Sequence, residues 1–372
     1  KNGIAEALGN LSSTAWRSGN YQKAWQFASD SEVSFRSLCI LSGVAGAVET
    51  LSRVARWLGD NDISRQYALE ALTIYTELGN RYGISEAHNN LGLVAQMVGD
   101  FPAAFRHFQE SLRITRAIGT TERNMHQTLN NLGIVSATLG RYDEARRYFT
   151  ESLELAYNGG NQRMVANLLS NLGSIALQTR DYAEAQKQLN ESLTIARDIG
   201  HKRIVAWALA NLGALAVQLG VFPEADARYQ ESLQVADEIK ERWLIANAIA
   251  GLGDIARAQD RPQDAWSKYR EALTMFVQIK AVPTALTLLI NVAHLMISIG
   301  REDTAAVMMG MVMKNPSLNG EGRTAAADVL MTLEMALGVG GLAAAMKTGE
   351  TLTFDQGIDQ ILGGEWMPNT GG

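Results

Sequence analysis

Apolar and polar positions alternate along this chain with the period of an α-helix. Between 101 and 112 the apolar residues Phe101, Ala104, Phe105, Phe108 and Leu112 fall on one side of a helix, the spacing that buries a stripe. Such stretches are punctuated at short intervals by a glycine, a polar residue and then an aromatic or proline. "GDFP" is the clearest example: Gly99 predicts the end of one helix, Asp100 the cap of the next, and Pro102 its first turn, where a missing N–H costs nothing. The helix before it is predicted over 84–98. The same punctuation recurs at Gly19, Gly140 and Gly220, and as "DRP" at Asp260.

The predicted helices repeat in pairs. Aligning on the asparagine of "NLG" gives Asn10, Thr50, Asn90, Asn131, Asn171, Asn211, Gly251 and Asn291, with steps of 40 residues and one of 41. Fourteen positions later stand Ala24, Ser64, Ala104, Ala145, Ala185, Ala225, Ala265 and Ala305. Twenty positions after most of the first series comes "ESL" or "EAL", beginning at Glu70, Glu110, Glu151, Glu191, Glu231 and Glu271. Three phased series over eight units define a repeat array. Each unit reads as helix A, turn, helix B, closed by Gly79, Gly119, Gly159 or Gly200, with Lys240 and Lys280 in that place later. The array is expected over 1–318. A helical cap is expected over 319–362, with Thr353 as an N-cap, and a flexible tail over 363–372. An array needs such a cap because its last repeat has an apolar face without a neighbour.

Composition narrows the class. Apolar content is 47% and only 6 prolines occur, which suits an all-helical protein. Net charge is −6 without a basic run or stripe, so direct nucleic-acid binding is not expected. A single cysteine, Cys39, excludes an internal disulfide framework and a multi-thiolate metal site, and suits a reducing cytoplasm. No run of about 18 apolar residues occurs, so no membrane segment is expected. The chain opens at Lys1 within a segment that matches the middle of later repeats, so it is expected to derive from a longer protein.

Leu-Gly in helix A, glycine before an aromatic at the turn, then alanine and an aromatic in helix B resemble the tetratricopeptide repeat. The period of 40 resembles its long-helix subclass. The copies depart from the pattern at Ser12, Ser52 and Ala293 in helix A, and at Arg180 and Asp260 in the turn. The resemblance implies an all-α fold: a right-handed superhelix, or α-solenoid, of about eight helix-turn-helix repeats with C-terminal capping helices. The ending, with "AAVMMG" at 305–310 and "TGETLTFDQGI" at 348–358, resembles the C-terminal repeat region of STAND/LuxR-type bacterial multidomain regulators. That likeness implies an upstream switch domain in the same parent chain.

Chemistry finds little support. No Gly-Lys step of a phosphate loop exists, and no strand-like segment precedes the "NLG" sites. His88, His107, His126, His201 and His294 form no metal-ligand spacing, and His107 reads as a packing residue. The repeating glutamate reads as a solvated face, and "VMMGMVM" at 307–313 as core. No enzyme activity, cofactor or metal is expected. Recognition remains. In the resembling architecture A helices line a concave groove, and the Leu and Gly of "NLG" are packing residues. The asparagine points toward the groove edge, with residues three and four away on the same stripe. The candidate ligand residues are Asn10, Arg53, Asn90, Asn131, Asn167, Asn171, Trp207, Asn211, Asn247, Asp254 and His294. An asparagine ladder can hydrogen-bond an extended peptide backbone whatever its sequence; it can equally bond from repeat to repeat and specify stacking. The expected function is protein or peptide binding in a cytoplasmic regulator. A pure scaffold, or a small-molecule sensor between Trp207 and His294, is the alternative.

Overall fold

The computed structural model describes residues 2–119 and 122–364. Among them the chain forms eighteen helices and no strand. It divides into two compact units, Lys1–Ser136 and Ala137–Gly372.

The first unit holds α1 (Asn2–Arg17), α2 (Tyr21–Ser37), α3 (Leu41–Leu58), α4 (Asn61–Glu77), α5 (Arg81–Met97), α6 (Phe101–Ile118) and most of α7 (Glu122–Thr138). The second holds α8 (Tyr142–Asn158), α9 (Gln162–Gln178), α10 (Tyr182–Asp198), α11 (Lys202–Gln218), α12 (Phe222–Glu238), α13 (Arg242–Ala258), α14 (Pro262–Gln278), α15 (Val282–Ser298), α16 (Glu302–Lys314), α17 (Gly320–Gly349) and α18 (Phe354–Leu362). Consecutive helices pair as hairpins. Within each unit successive odd helices also pack on one another, α1 on α3 and α3 on α5, then α9, α11, α13 and α15 in turn. Among the described residues of α1–α16 no pair of even helices packs as closely. The odd helices therefore form an inner layer and the even ones an outer layer.

The punctuation works as its chemistry requires. Asp100 accepts the Ala103 N–H at 3.0 Å, and Gly99 is left-handed at φ 82°. The preceding helix starts at Arg81, three residues before its apolar pattern, because Asn80 caps it through the Gly83 N–H at 3.0 Å. Where glycine is missing from a turn the backbone keeps its shape. Cys39, Arg180, Lys240, Asp260 and Lys280 all take left-handed φ of 54–59°, at a steric cost that glycine does not carry.

Helix A and helix B of a hairpin meet at the glycine of "NLG". A Cβ on Gly92 would lie 2.6 Å from the Phe108 ring, and one on Gly253 2.6 Å from Tyr269. Stacking of one repeat on the next relies on a second set of close approaches, in which Phe35, Tyr75 and Tyr229 lie against Gly43, Gly83 and Gly251. The serine of "ESL", and Ser31 at the same phase in repeat 1, add a polar tie that their sequence position does not announce. Ser31, Ser192 and Ser232 are fully buried and donate to the carbonyls of Ala5, Ala166 and Ala206 at 2.7–2.8 Å. The "ESL" glutamate lies on the exposed outer layer but does more than meet solvent. Glu70 and Glu231 pair with Arg36 and Arg197 of the preceding repeat, and Glu191 accepts from Tyr157.

After α15 the repeat changes. Met308, Met309 and Met311 of α16 are buried in one cluster with Val329 and Leu333 of α17 and Ile358 and Ile361 of α18. Gly310 and Gly349 let α16 and α17 approach backbone to backbone. Helix α17 breaks at Gly338 (φ 71°, ψ 162°), and Thr353 caps α18 with a reciprocal bond to Gln356. Within Gly322–Gly349 an 18-residue window reaches a mean hydropathy of 1.7, so the segment is long and apolar enough, by length and composition, to cross a membrane. That qualifies the reading of the sequence, which found no apolar run of that size. The tail expected over 363–372 falls, from residue 365 onward, outside the described residues.

Candidate ligand-binding face

In the first unit the inner layer begins with an open pocket of about 440 Å³ between α1, α2 and α3, lined by Glu6, Asn10, Ser13, Gly46 and Thr50. Asn10 is exposed there. Farther along, Asn89, Asn90, Asn130 and Asn131 are all under 10% exposed, and Asn131 Nδ2 donates to Asn89 Oδ1 at 3.3 Å, from α7 to α5. Here the ladder ties repeats together. Arg53 lies half-buried over the Trp16 ring, 5.3 Å from its centroid, and 4.0 Å from Glu49. The other oxygen of Glu49 accepts from Tyr75 at 2.8 Å. Burial first, then the Glu49 charge, push the Glu86 carboxyl above its usual range, against the pull of Arg53.

Repeat 3 holds a pair that sequence spacing hid. His88 of α5 and His107 of α6 meet with Nδ1 atoms 3.1 Å apart and ring centroids 5.4 Å apart. One neutral ring donates to the other. Burial lowers both pKa values, and for His107 the neighbouring His88 lowers it further. A signal was available. The phase that His88 occupies is filled by Leu8, Val48, Leu129, Leu169, Leu209, Ile249 and Leu289 in the other copies. Among the described residues no three metal-ligating side chains converge.

In the second unit Asn167, Asn171, Trp207, Asn247, Asp254 and His294 are all half-buried on the inner helices. Asn211 is deeper, 8% exposed, and donates to the Trp207 carbonyl of its own helix at 3.1 Å. Trp207 packs against Trp243 with centroids 5.3 Å apart and the rings tilted by 49°, and Trp243 Nε1 donates to Thr284 at 3.2 Å. Asp254 is the centre of a network. Tyr269 donates to it at 2.6 Å and Asn291 at 3.0 Å, while Arg257 Nε donates to the Tyr269 hydroxyl at 3.2 Å. Burial raises the Asp254 pKa, opposed by Tyr269, Arg257 and Asn291. Burial and then Arg257 lower that of His294. The sequence singled out Asp254 and His294 but not Tyr269, which lies on the outer helix α14.

The geometry is that of a helical-repeat scaffold with a varied polar row on its inner helices. The tetratricopeptide repeat model matches residues 44–117, 124–198 and 204–278, more than half of the chain, which therefore belongs to the tetratricopeptide repeat family. No curated protein matches by sequence. Solved structures do match. A Rap protein complexed with Competence and Sporulation Factor aligns over 98% of this chain and 100% of its own, at 11% identity and a TM-score of 0.64. The Rap conjugation gene regulator of plasmid pLS20, in complex with the Phr* peptide, aligns over 91% and 98%, at 12% identity and 0.59. BtubC (BKLC) from P. vanneervenii aligns over 63% and 93%, at 20% identity and 0.51. At these identities the likeness is one of fold.

Proposed function

We propose that the chain is a non-catalytic module that binds a peptide or protein along its inner helices, as the sensor or partner-binding segment of a bacterial cytoplasmic regulator. One observation carries this reading. The half-buried inner row changes chemical character from repeat to repeat, with Asn167, Trp207, Asn247, Asp254 and His294, while the packing positions beneath it stay apolar or small. Packing alone calls for uniformity, whereas recognition of an irregular ligand calls for variety. The Rap structures of similar fold carry a bound factor or peptide, which supports the same reading. Asn167 and Asn247 suit backbone contacts better than Asn131 and Asn211, whose side chains are already engaged. In the parent protein an upstream switch domain would respond to occupancy, and segment 319–362 would cap the array.

The test selects peptides against the chain from a random displayed library and measures their affinity by calorimetry. Asn167→Ala with Asn247→Ala is expected to weaken binding at least tenfold at an unchanged melting temperature. Equal affinity in that variant rejects the groove reading. The regulatory context is tested by the full-length gene: a nucleotide-binding domain upstream supports it, and a chain of repeats alone makes the protein a scaffold.

A further inference from the structure

Arg53 and Arg56 stand three residues apart on the inner helix α3, and so share one face. The equivalent positions in repeat 7 are Asp254 and Arg257. There the cation is answered within its own repeat, through the Tyr269 hydroxyl at 3.2 Å and on to Asp254. In repeat 2 both answers are gone, because Arg53 replaces the carboxylate and Ala68 replaces the tyrosine. Arg56 is half-buried and has no side-chain hydrogen bond or ion pair among the described residues. Arg53 Nε is buried without an acceptor, and its nearest carboxylate, Glu49, is 4.0 Å away and shared with Tyr75. Burial, then the neighbouring Arg53, lower the Arg56 pKa, as befits a cation without a counterion.

A buried N–H without an acceptor, as at Arg53 Nε, and a half-buried cation without a counterion beside it both cost stability unless a group outside the fold completes them. We propose that Arg53 and Arg56, walled by the Trp16 ring, form an anion site that takes a carboxylate or phosphate group of a ligand lying on the inner face of the first unit. A guanidinium fork matches the paired oxygens of either group. Trp16 holds the Arg53 plane by cation–π contact and so presets the fork. This deepens the peptide reading by naming the side-chain class that repeat 2 would select, an acidic or phosphorylated residue. A test with free anions does not depend on that reading.

The experiment follows the melting temperature of the chain in sodium phosphate or succinate against sodium chloride at equal ionic strength. Calorimetry with hexaglutamate and hexaglutamine peptides runs beside it. Wild type is expected to gain about 2 °C or more with an anion, and Arg56→Met to lose that gain. Without anion, Arg56→Met is expected to melt no lower than wild type, since it removes an unpaired charge; Arg56→Lys is expected to keep part of the gain. A response to phosphate alone assigns a phosphoryl ligand, and one to succinate and hexaglutamate a carboxylate. Anion shifts without binding of hexaglutamate or of any selected peptide uphold the site and sink the peptide reading. No shift in wild type, an equal shift in Arg56→Met, or a lowered anion-free melting temperature in that variant overturns the site. Selected peptides that bind all the same would then leave the groove reading standing.

Discussion

Repeats 1 and 2 fill the gap between helix A and helix B in the opposite way from the repeats after them. In repeats 3, 5, 6 and 7 the inner helix gives up its side chain, at Gly92, Gly173, Gly213 and Gly253, and the outer helix supplies Phe108, Leu189, Tyr229 and Tyr269. In repeats 1 and 2 the inner helix keeps serine, and the outer helix shrinks to Ala28 and Ala68. The serines are fully buried and donate to the carbonyls of Ala24 and Ser64 at 2.7 and 2.8 Å. The last copy takes a middle course, with Ala293 against Met309. What the fold conserves is the volume of the gap; which helix provides it is free.

The comparison can be broken most forcefully at Phe108. Phe108→Ala is expected to cost about 3–5 kcal/mol in urea unfolding, because the opposing glycine has nothing to fill the cavity. Gly92→Ser alone is expected to cost about 1–3 kcal/mol by overpacking. The double variant recreates the repeat 2 solution, so its loss should be clearly less than the sum; strict additivity would refute the shared-volume account.

The hydroxyl of Tyr269 sharpens the same contrast, because repeat 2 has no counterpart to it. Tyr269→Phe is expected to cost about 1–3 kcal/mol, leaving Arg257 without an acceptor and Asp254 with Asn291 alone. Urea midpoints of the two proteins check this. Turns invite a gain instead. Lys240→Gly and Lys280→Gly place glycine where other copies already have it, at φ of 55° and 57°. Each is expected to add about 0.5–1 kcal/mol, the left-handed strain relieved less the extra freedom of the unfolded chain. Calorimetric melting measures the gain.

The smallest expected effect is a pH dependence in repeat 3. His88 and His107 have folded pKa values below the 6.5 of a free imidazole, so the folded state binds protons less readily than the unfolded one. Their contribution is complete above about 6.5 and is lost as pH falls through the lowered folded values. His88→Leu, which installs the residue that most other copies carry, should flatten urea midpoints between pH 7 and pH 5. An undiminished slope would place the titration elsewhere.

The fold was legible because its signals are local and repeated. Glycine, cap and period sit within a few residues of one another, and eight copies average away exceptions such as Arg180 and Asp260. Contacts between helices were harder to read. Gly92 and Phe108 are 16 residues apart, and Ser192 and its acceptor Ala166 are 26 apart. No periodicity within a helix links them, although aligning the copies side by side exposes the exchange of Ser-Ala for Gly-aromatic. The inner row was legible as positions. Whether an asparagine there is spent on stacking, as at Asn131, or left half-exposed, as at Asn247, depends on how closely neighbouring repeats approach, which the spacing does not encode.

The two layers of each unit also differ in what resists bending. The inner helices meet through buried side chains, which barely compress. The outer helices are tied by exposed partners, Arg36 with Glu70, Tyr157 with Glu191 and Arg197 with Glu231, and water and salt can replace each of these. Mechanically each unit is a spring with a stiff spine on one side and breakable stays on the other. At molar salt, where charges are screened beyond about 3 Å, the charged stays slacken and the unit flexes about its spine.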